Sequence, residues 1–254
     1  MKKTLPVLLA LLLVAGFCRA QEEQSATVCP DRPGALTGPE VMPLHKLQWE
    51  TGVACESQAG GPRSFTLNNT LLRYGLFRHA EIRLGTDLLL GRETPAAAPA
   101  FGVTPLCFGL KAKFYEGSGV LPAVALLAQL SSPHIGTRDL LPQHLAPSMY
   151  LLFEHSLGER LSLGYNVGAE WDGDSARPAC FLGLGLYLGI TDSVGAFLES
   201  YNYLGAAGGN RYMTEFGLSW LVSRRVQLDL SADLDFRQLG KYWRVSCGVA
   251  WLIN

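Results

Sequence analysis

The sequence predicts an all-β fold, a closed antiparallel transmembrane β-barrel of about twelve strands, on three observations. Apolar and polar residues alternate along nearly the whole chain. The alternating segments are about ten to twelve residues long, and charged residues avoid the apolar side of the clearest ones. Ordinary strands average about five or six residues, whereas tilted membrane strands need about nine to eleven. Segment length therefore favours a barrel in lipid over a soluble sandwich.

The alternation divides the chain into twelve candidate strands. In one of them, Ile82, Leu84 and Leu88 fall on one face, while Glu81 and Arg83 fall on the other. The predicted strands cover about 46–56, 64–74, 80–91, 105–116, 120–131, 148–157, 161–172, 179–190, 194–203, 211–222, 226–236 and 242–253. The segment 120–131 also fits a short buried helix, so both interpretations stay open there.

The connections between these segments support the barrel independently. Those that follow even-numbered strands are short, whereas those that follow odd-numbered strands are longer and rich in Gly and Pro, above all 92–104 and 132–147. Membrane barrels have short periplasmic turns, longer external loops and girdles of aromatic residues at both interfaces. The tryptophans on the apolar side, mostly toward segment ends, fit such girdles: Trp49, Trp171, Trp220, Trp243 and Trp251.

The first twenty residues have the pattern of a secretory signal peptide. Lys2 and Lys3 precede an apolar run over 5–17, and small residues favour cleavage between Ala20 and Gln21. The apolar run is too short for a comfortable membrane span. We therefore expect an exported chain that resides in the outer membrane of a Gram-negative bacterium.

Residues 21–45 differ from the rest of the chain, because they begin polar and then carry four prolines: Pro30, Pro33, Pro39 and Pro43. Prolines at this density exclude a long helix. Two interpretations remain open: a disordered periplasmic leader, or a plug that folds back into the lumen, as some barrels have. The predicted barrel then covers 46–254.

Composition excludes several classes of function. The formal net charge is −1 and there is no basic stripe, which excludes the usual electrostatics of a nucleic-acid-binding protein. Five cysteines remain after cleavage, with no CxxC motif and no His/Cys cluster, so we expect neither a metal site nor a cofactor. Small buried thiols are favoured over one or two disulfides, although an oxidising compartment permits the latter.

Several short stretches, in order and at matching spacing between 47 and 254, resemble a known family. They are Asn69–Gly75, Glu81–Gly85, Leu163–Gly168, Phe216–Trp220, Val226–Ser231 and Gly248–Trp251. The chain is similar to bacterial outer-membrane β-barrel transporters of the phenol meta-cleavage degradation pathway type. The resemblance implies a membrane barrel through which small, including hydrophobic, molecules pass. It supplies no set of binding residues, and the terminal Trp251-Leu-Ile-Asn254 departs from the final aromatic residue common in such barrels.

The polar side of the strands predicts which charged residues line the lumen. They are Arg73, Glu81, Arg83, Asp87, Lys111, Lys113, Glu154, Glu170, Glu199, Glu215, Asp229, Asp233 and Arg244. Two interpretations stay open. The charges pair across the lumen and brace it, because an unpaired charge in a confined interior is costly, or they form a polar constriction that selects solutes.

One strand and its neighbour concentrate acidic residues. Asp229, Asp233 and Asp235 lie on the eleventh predicted strand, and Glu215 lies on the tenth. Such a cluster attracts cations, but pairing with the following Arg237 and Arg244 is the simpler expectation.

The sequence therefore predicts an outer-membrane channel or transporter for small molecules, hydrophobic or aromatic ones among them. Its expected partners are membrane lipid, an unidentified small solute and the barrel-assembly machinery. The alternatives are a structural or surface-interaction barrel and an outer-membrane lipid hydrolase. For a hydrolase, the adjacent His155 and Ser156 are the obvious pair, but neighbours on a strand face opposite sides, so no residue is assigned a catalytic role.

Overall fold

The computed structural model describes residues 26–58, 61–91, 100–206 and 209–253, so the predicted signal peptide and its cleavage site at Ala20 and Gln21 lie outside it. Within these ranges the chain forms strands β1 (Leu47–Gln58), β2 (Arg63–Phe77), β3 (Ala80–Gly91), β4 (Ala100–Val103), β5 (Cys107–Tyr115), β6 (Ala123–Ser131), β7 (Ala146–Ser156), β8 (Leu161–Glu170), β9 (Ala179–Gly189), β10 (Val194–Leu204), β11 (Arg211–Ser223), β12 (Val226–Asp235) and β13 (Tyr242–Leu252). A 3-10 turn, Arg138–Leu140, precedes β7. The described residues include no helix whose length and apolar character would carry it across a membrane.

The strands pair antiparallel with their neighbours, and pairing of β1 with β13 closes the sheet. The short β4 does not add a separate wall position, since β3 pairs with β5 along one half and with β4 along the other. The break between β4 and β5 contains Pro105, which has no N–H to donate to a ladder. The structure is thus a closed antiparallel barrel of twelve wall strands, which confirms the predicted fold class.

The strand interpretation of 120–131 is confirmed, because Ala123–Ser131 forms β6 and pairs with β5 and β7. One local expectation is wrong: the sequence places Ala100–Val103 in a loop, but these residues extend the wall beside β3 as β4. Four residues followed by a proline are too few to show a clear alternation.

The apolar side of each strand faces outward. Leu184, Leu218 and Leu230 on three different strands are each at least half exposed, whereas the charged residues between such positions are largely buried. In a water-soluble protein the leucines would be buried and the charged residues would be exposed. Outward leucines and inward charges are the arrangement of a barrel that faces lipid.

The cysteines do not follow the expectation of burial. All five in the described ranges are free thiols; Cys180 and Cys247 lie on the outer face and are exposed. Their neighbours Phe181 and Ser246 point inward and are buried, so strand alternation sends these two thiols toward lipid. A small apolar side chain is compatible with that environment.

We expect Leu230→Lys to destabilise the barrel by about 2–4 kcal/mol, because Leu230 lies in the middle of β12 on the outer face. The free energy of unfolding, measured by urea titration in phospholipid vesicles, checks this. Leu239→Lys is the matched control, since Leu239 is 75% exposed in the connection after β12 and should change stability by less than about 0.5 kcal/mol. Equal costs at the two positions would place the outer face of β12 in water.

Candidate functional site: the occupied lumen

The segment Ala26–Lys46, called here the luminal segment, lies inside the barrel. It forms no helix and no named strand, so its backbone N–H groups need other partners. Carboxylates of the wall accept several of them: the Leu36 N–H donates to Glu199 at 3.1 Å, and the Met42 N–H donates to Glu81 at 2.7 Å. Carboxylates of the wall therefore accept hydrogen bonds from backbone N–H groups of this segment, as the carbonyls of a neighbouring strand would in a sheet.

Asp31 of the luminal segment contacts three basic side chains of the wall. Its carboxylate lies 3.5 Å from an Arg73 nitrogen, accepts from Arg83 at 2.5 Å, and accepts from the Lys111 ammonium at 3.1 Å through each oxygen. Arg73, Arg83 and Lys111 come from β2, β3 and β5, which are neighbours in the sheet. We call these three side chains the cationic site.

Two further carboxylates of the wall hold the cationic site in place. Arg73 donates to Glu81 through two nitrogens at 2.9 Å each, and to Glu50 at 3.1 Å. The same guanidinium donates to the carbonyls of Cys29 and Glu40 in the luminal segment, at 2.7 and 3.1 Å. Arg73 thus joins the wall to two separate points of the luminal segment.

The pKa of Asp31 reflects this environment. Burial alone would raise it, but the positive charges of Arg73, Lys111 and Arg83 outweigh burial and hold the pKa of the carboxyl well below its usual value. A carboxyl whose pKa is lowered by folding contributes stability above its ordinary pKa and loses that contribution as the pH falls through the lowered value. The Asp31 contacts therefore persist in mildly acidic solution.

Arg32, the next residue, reaches the part of the wall between β2 and β12. It donates to both oxygens of Asp229 on β12, at 3.2 and 3.0 Å, and to Asn69 on β2 at 3.0 Å. Asn69 in turn donates to Asp87 at 2.6 Å. The bidentate pairing of Arg32 with Asp229 is the geometry for which a guanidinium is best suited.

Two glycines make room for the Arg32 guanidinium. Gly52 and Gly248 are directly opposite each other in the β1–β13 ladder, and they separate Asn69 from Asp229. A methyl group on either glycine would overlap the guanidinium. Their lack of a side chain is therefore what allows Arg32 to lie flat against the wall.

An acidic row lines the wall on β10, β11 and β12. Glu199 is directly opposite Glu215, Glu215 is opposite Asp233, and Asp233 is opposite Arg244. Glu199 accepts from the Ala35 and Leu36 N–H groups and from the Tyr187 hydroxyl. The row is held mainly by hydrogen bonds from tyrosines and from the luminal segment.

The expected partners of the acidic cluster were partly wrong. Asp229 pairs with Arg32 rather than with Arg237 or Arg244. The Arg237 guanidinium instead lies over the ring of Tyr212, 3.8 Å from its centroid, and the backbone N–H of Arg237 donates to the Asp235 carboxylate. The sequence contained no periodic signal that would bring Arg32 to a strand almost two hundred residues away.

Aromatic side chains occupy the wall across from the cationic site. Leu36 of the luminal segment packs into a buried cluster with Phe181, Tyr201 and Met213. Tyr201 donates to Asp233 at 2.7 Å. Sequence reasoning overlooked this group, although Tyr201 shares the inward side of its strand with Glu199, which is the signal that could have identified it.

Two open cavities lie on opposite sides of the luminal segment. A cavity of about 500 Å³ lies toward the short turns and is lined by residues such as Gly158 and Ser219. A second, of about 470 Å³, lies toward the long connections and is lined by Thr104 and Ser131 among others. Both are bordered by Asp31–Pro33, so these three residues form the partition between them.

The structure places the predicted lumen-lining residues as follows. The buried ones are Arg73, Glu81, Arg83, Lys111, Lys113, Glu199, Glu215, Asp229 and Asp233. The half-buried ones are Asp87, Glu154, Glu170 and Arg244. Sequence reasoning did not single out Asp31 and Arg32; their only local signal is a pair of opposite charges between Pro30 and Pro33.

His155 and Ser156 lie on opposite sides of β7. The His155 ring stacks on Tyr165 at 5.7 Å, whereas Ser156 borders the cavity toward the short turns. The described part of the chain contains no group of three His, Cys, Asp or Glu side chains that could hold a metal ion.

Comparison with known proteins identifies the family. A family model described as "Putative MetA-pathway of phenol degradation" matches residues 30–251. The chain belongs to this family. The match confirms the resemblance seen in the sequence, and it covers both the barrel and most of the luminal segment. No curated protein is similar enough to count as a match.

Solved structures share the fold. The COG4313 outer membrane channel from Pseudomonas putida F1 is 14% identical, with a TM-score of 0.62 over 87% of this chain and 99% of that chain. The KdgM porin is 10% identical, with a TM-score of 0.57 over 81% and 99%. The NanC porin is 11% identical, with a TM-score of 0.55 over 79% and 98%. At such low sequence identity, these superpositions show that the barrel fold is shared and nothing more.

We expect Gly248→Ala to displace the Arg32 guanidinium from Asp229 and to raise ion conductance in planar bilayers. The added methyl group would overlap a flexible side-chain end rather than backbone, so Arg32 moves and the barrel remains intact. Gly189→Ala is the control, because its methyl group would lie at an ordinary 3.8 Å from Arg160. Unchanged conductance in a folded Gly248→Ala variant would show that Arg32 does not limit the passage.

Proposed function

We propose that this protein is an outer-membrane channel for small molecules whose passage is controlled by the luminal segment. The observation that carries the proposal is the pair of cavities that open on opposite sides and are divided by Asp31–Pro33. Displacement of this short partition would join them into one path through the barrel. A channel closed by its own chain needs no additional domain to control it.

The filling of the lumen favours a channel over a purely structural barrel. Small barrels are commonly filled by the side chains of their own strands, whereas larger ones leave a channel. Here a separate segment fills much of the space and is held by ion pairs and hydrogen bonds. Polar contacts of this kind can be exchanged for contacts with water or with a polar solute, so the arrangement is compatible with an occupant that moves.

The proposed solutes are small molecules, including hydrophobic or aromatic ones. The description of the family refers to phenol degradation, and two of the similar structures are named as porins and one as a channel. The inward aromatic side chains Phe181, Tyr201 and Tyr203 offer a surface against which a ring could pack. On this proposal the chain is exported and the barrel-assembly machinery inserts it into outer-membrane lipid.

Liposome swelling tests the control by the luminal segment. In the double variant Asp31→Asn/Arg32→Gln, both charged contacts of the partition are lost. Asn keeps the size of the Asp31 side chain, and Gln is a shorter, uncharged replacement for Arg32. Each charged hydrogen-bonded contact is worth about 1.5–3 kcal/mol, so the open population should rise by about tenfold or more. We expect small neutral solutes to enter vesicles that contain this variant faster than vesicles that contain the unmodified protein.

The control for this experiment is Arg78→Gln/Asp192→Asn. It removes one charge of each sign from exposed residues of two short turns that line neither cavity, and it should leave swelling unchanged. Equal swelling of the Asp31→Asn/Arg32→Gln variant and the unmodified protein, with both correctly folded, would contradict control by the luminal segment.

A further inference from the structure

The cationic site and its wall carboxylates do not balance in charge without Asp31. Arg73, Arg83 and Lys111 contribute three positive charges, and Glu50 and Glu81 contribute two negative ones. All five side chains are at most 5% exposed. One negative charge is missing from the wall, and the Asp31 carboxylate supplies it. A buried charge without compensation is strongly unfavourable, so the wall requires one monoanion at this place.

The register of the sheet shows where that anion must lie. Arg73 is directly opposite Arg83 in the β2–β3 ladder, an arrangement of like charges that destabilises a sheet. The Asp31 carboxylate contacts both guanidinium groups and thereby removes the conflict. The neighbouring Lys113 does not compete for Asp31, because it pairs with Glu40 and with Glu116.

The wall groups keep donor capacity toward this position. The double hydrogen bond to Glu81 fixes the plane of the Arg73 guanidinium from within the wall. Arg83 has a buried Nε–H without a partner, so Asp31 does not use all the donors available. Planar guanidinium groups and an ammonium are the donors that bind a carboxylate best.

We propose that Arg73, Arg83 and Lys111 form a carboxylate-binding site for solutes in the lumen, and that Asp31 occupies this site in the closed channel. A small monocarboxylate takes the place of Asp31 when the luminal segment moves. The proposal rests on the proposed function as a channel, because it assigns a solute class to the same lumen. A single carboxylate fits the charge balance, whereas a dianion would leave an excess negative charge.

The site can be reached from the long-connection end. Asp31 and Arg83 both line the cavity of about 470 Å³ that opens there. Gln129 and Thr37 line this cavity and also a smaller one of about 130 Å³ that contains Tyr150 and Phe181. A carboxylate at the cationic site therefore has polar space beside it and aromatic side chains beyond. Acetate and benzoate are accordingly the probes for the test.

The test is rescue of Asp31→Ala by added carboxylate. We expect this variant, purified as the full chain in detergent, to unfold several degrees below the unmodified protein. Acetate and benzoate should restore most of the lost thermal stability. The unfolding temperature should rise with their concentration, as it does for any ligand that binds only the folded state. Sodium chloride at equal ionic strength and acetamide at equal concentration should restore much less. The unmodified protein and Asp192→Ala should show no specific response.

A second measurement covers the case in which Asp31→Ala does not fold. Asp31→Asn keeps the side-chain volume but removes the charge, so its reversal potential in a potassium acetate gradient should shift toward anion selectivity. Carboxylate rescue or this shift supports the proposal. Equal effects of acetate and chloride, or no rescue of a folded Asp31→Ala and no shift in Asp31→Asn, overturn it. If neutral solutes enter vesicles that contain Asp31→Asn/Arg32→Gln but carboxylates do not rescue Asp31→Ala, the proposed channel function is supported and the carboxylate-binding site alone is contradicted.

Discussion

The whole interior of this protein depends on one constraint: charges enclosed by a barrel in lipid must find partners inside the barrel. Strand alternation sends apolar side chains outward and therefore brings charged ones into a narrow space. The wall pairs some of them, such as Arg73 with Glu81. It leaves others without a partner of opposite sign, and the luminal segment supplies these partners through Asp31 and Arg32. The wall and the segment are thus electrostatically incomplete without each other.

The luminal segment is ordered without secondary structure of its own. Its prolines prevent a helix, and its N–H groups are satisfied by wall carboxylates such as Glu81 and Glu199. The segment is held by side-chain hydrogen bonds and ion pairs and by the buried side chains of Val28, Leu36 and Met42. The barrel wall is held by a closed ladder of backbone hydrogen bonds. On the proposed function, water or a solute takes over the wall contacts of the segment when it moves, so that the wall charges stay compensated.

Alternation was enough to predict the wall, because each strand of a barrel repeats the same two-residue rule over its whole length. It could not predict β4, which is short and ends before Pro105. Nor could it predict that Asp31 and Arg32 contact the wall, since Lys111 and Asp229 are distant in sequence and follow no period that relates them to the segment. Local patterns encode which face a side chain takes. Which charges meet inside is decided by the closed geometry, and that information is spread over the whole chain.

The positions of Asp31 and Arg32 have a mechanical consequence. They are neighbours in the chain, yet one pairs with β2, β3 and β5 while the other pairs chiefly with β12. Because one peptide unit joins them, a displacement that withdraws Asp31 also changes the position from which Arg32 reaches Asp229. The two contacts therefore cannot be lost independently over more than a small distance, and the partition should open as a unit. A solute that competes at either contact would then act on both, which couples recognition of the solute to opening of the path.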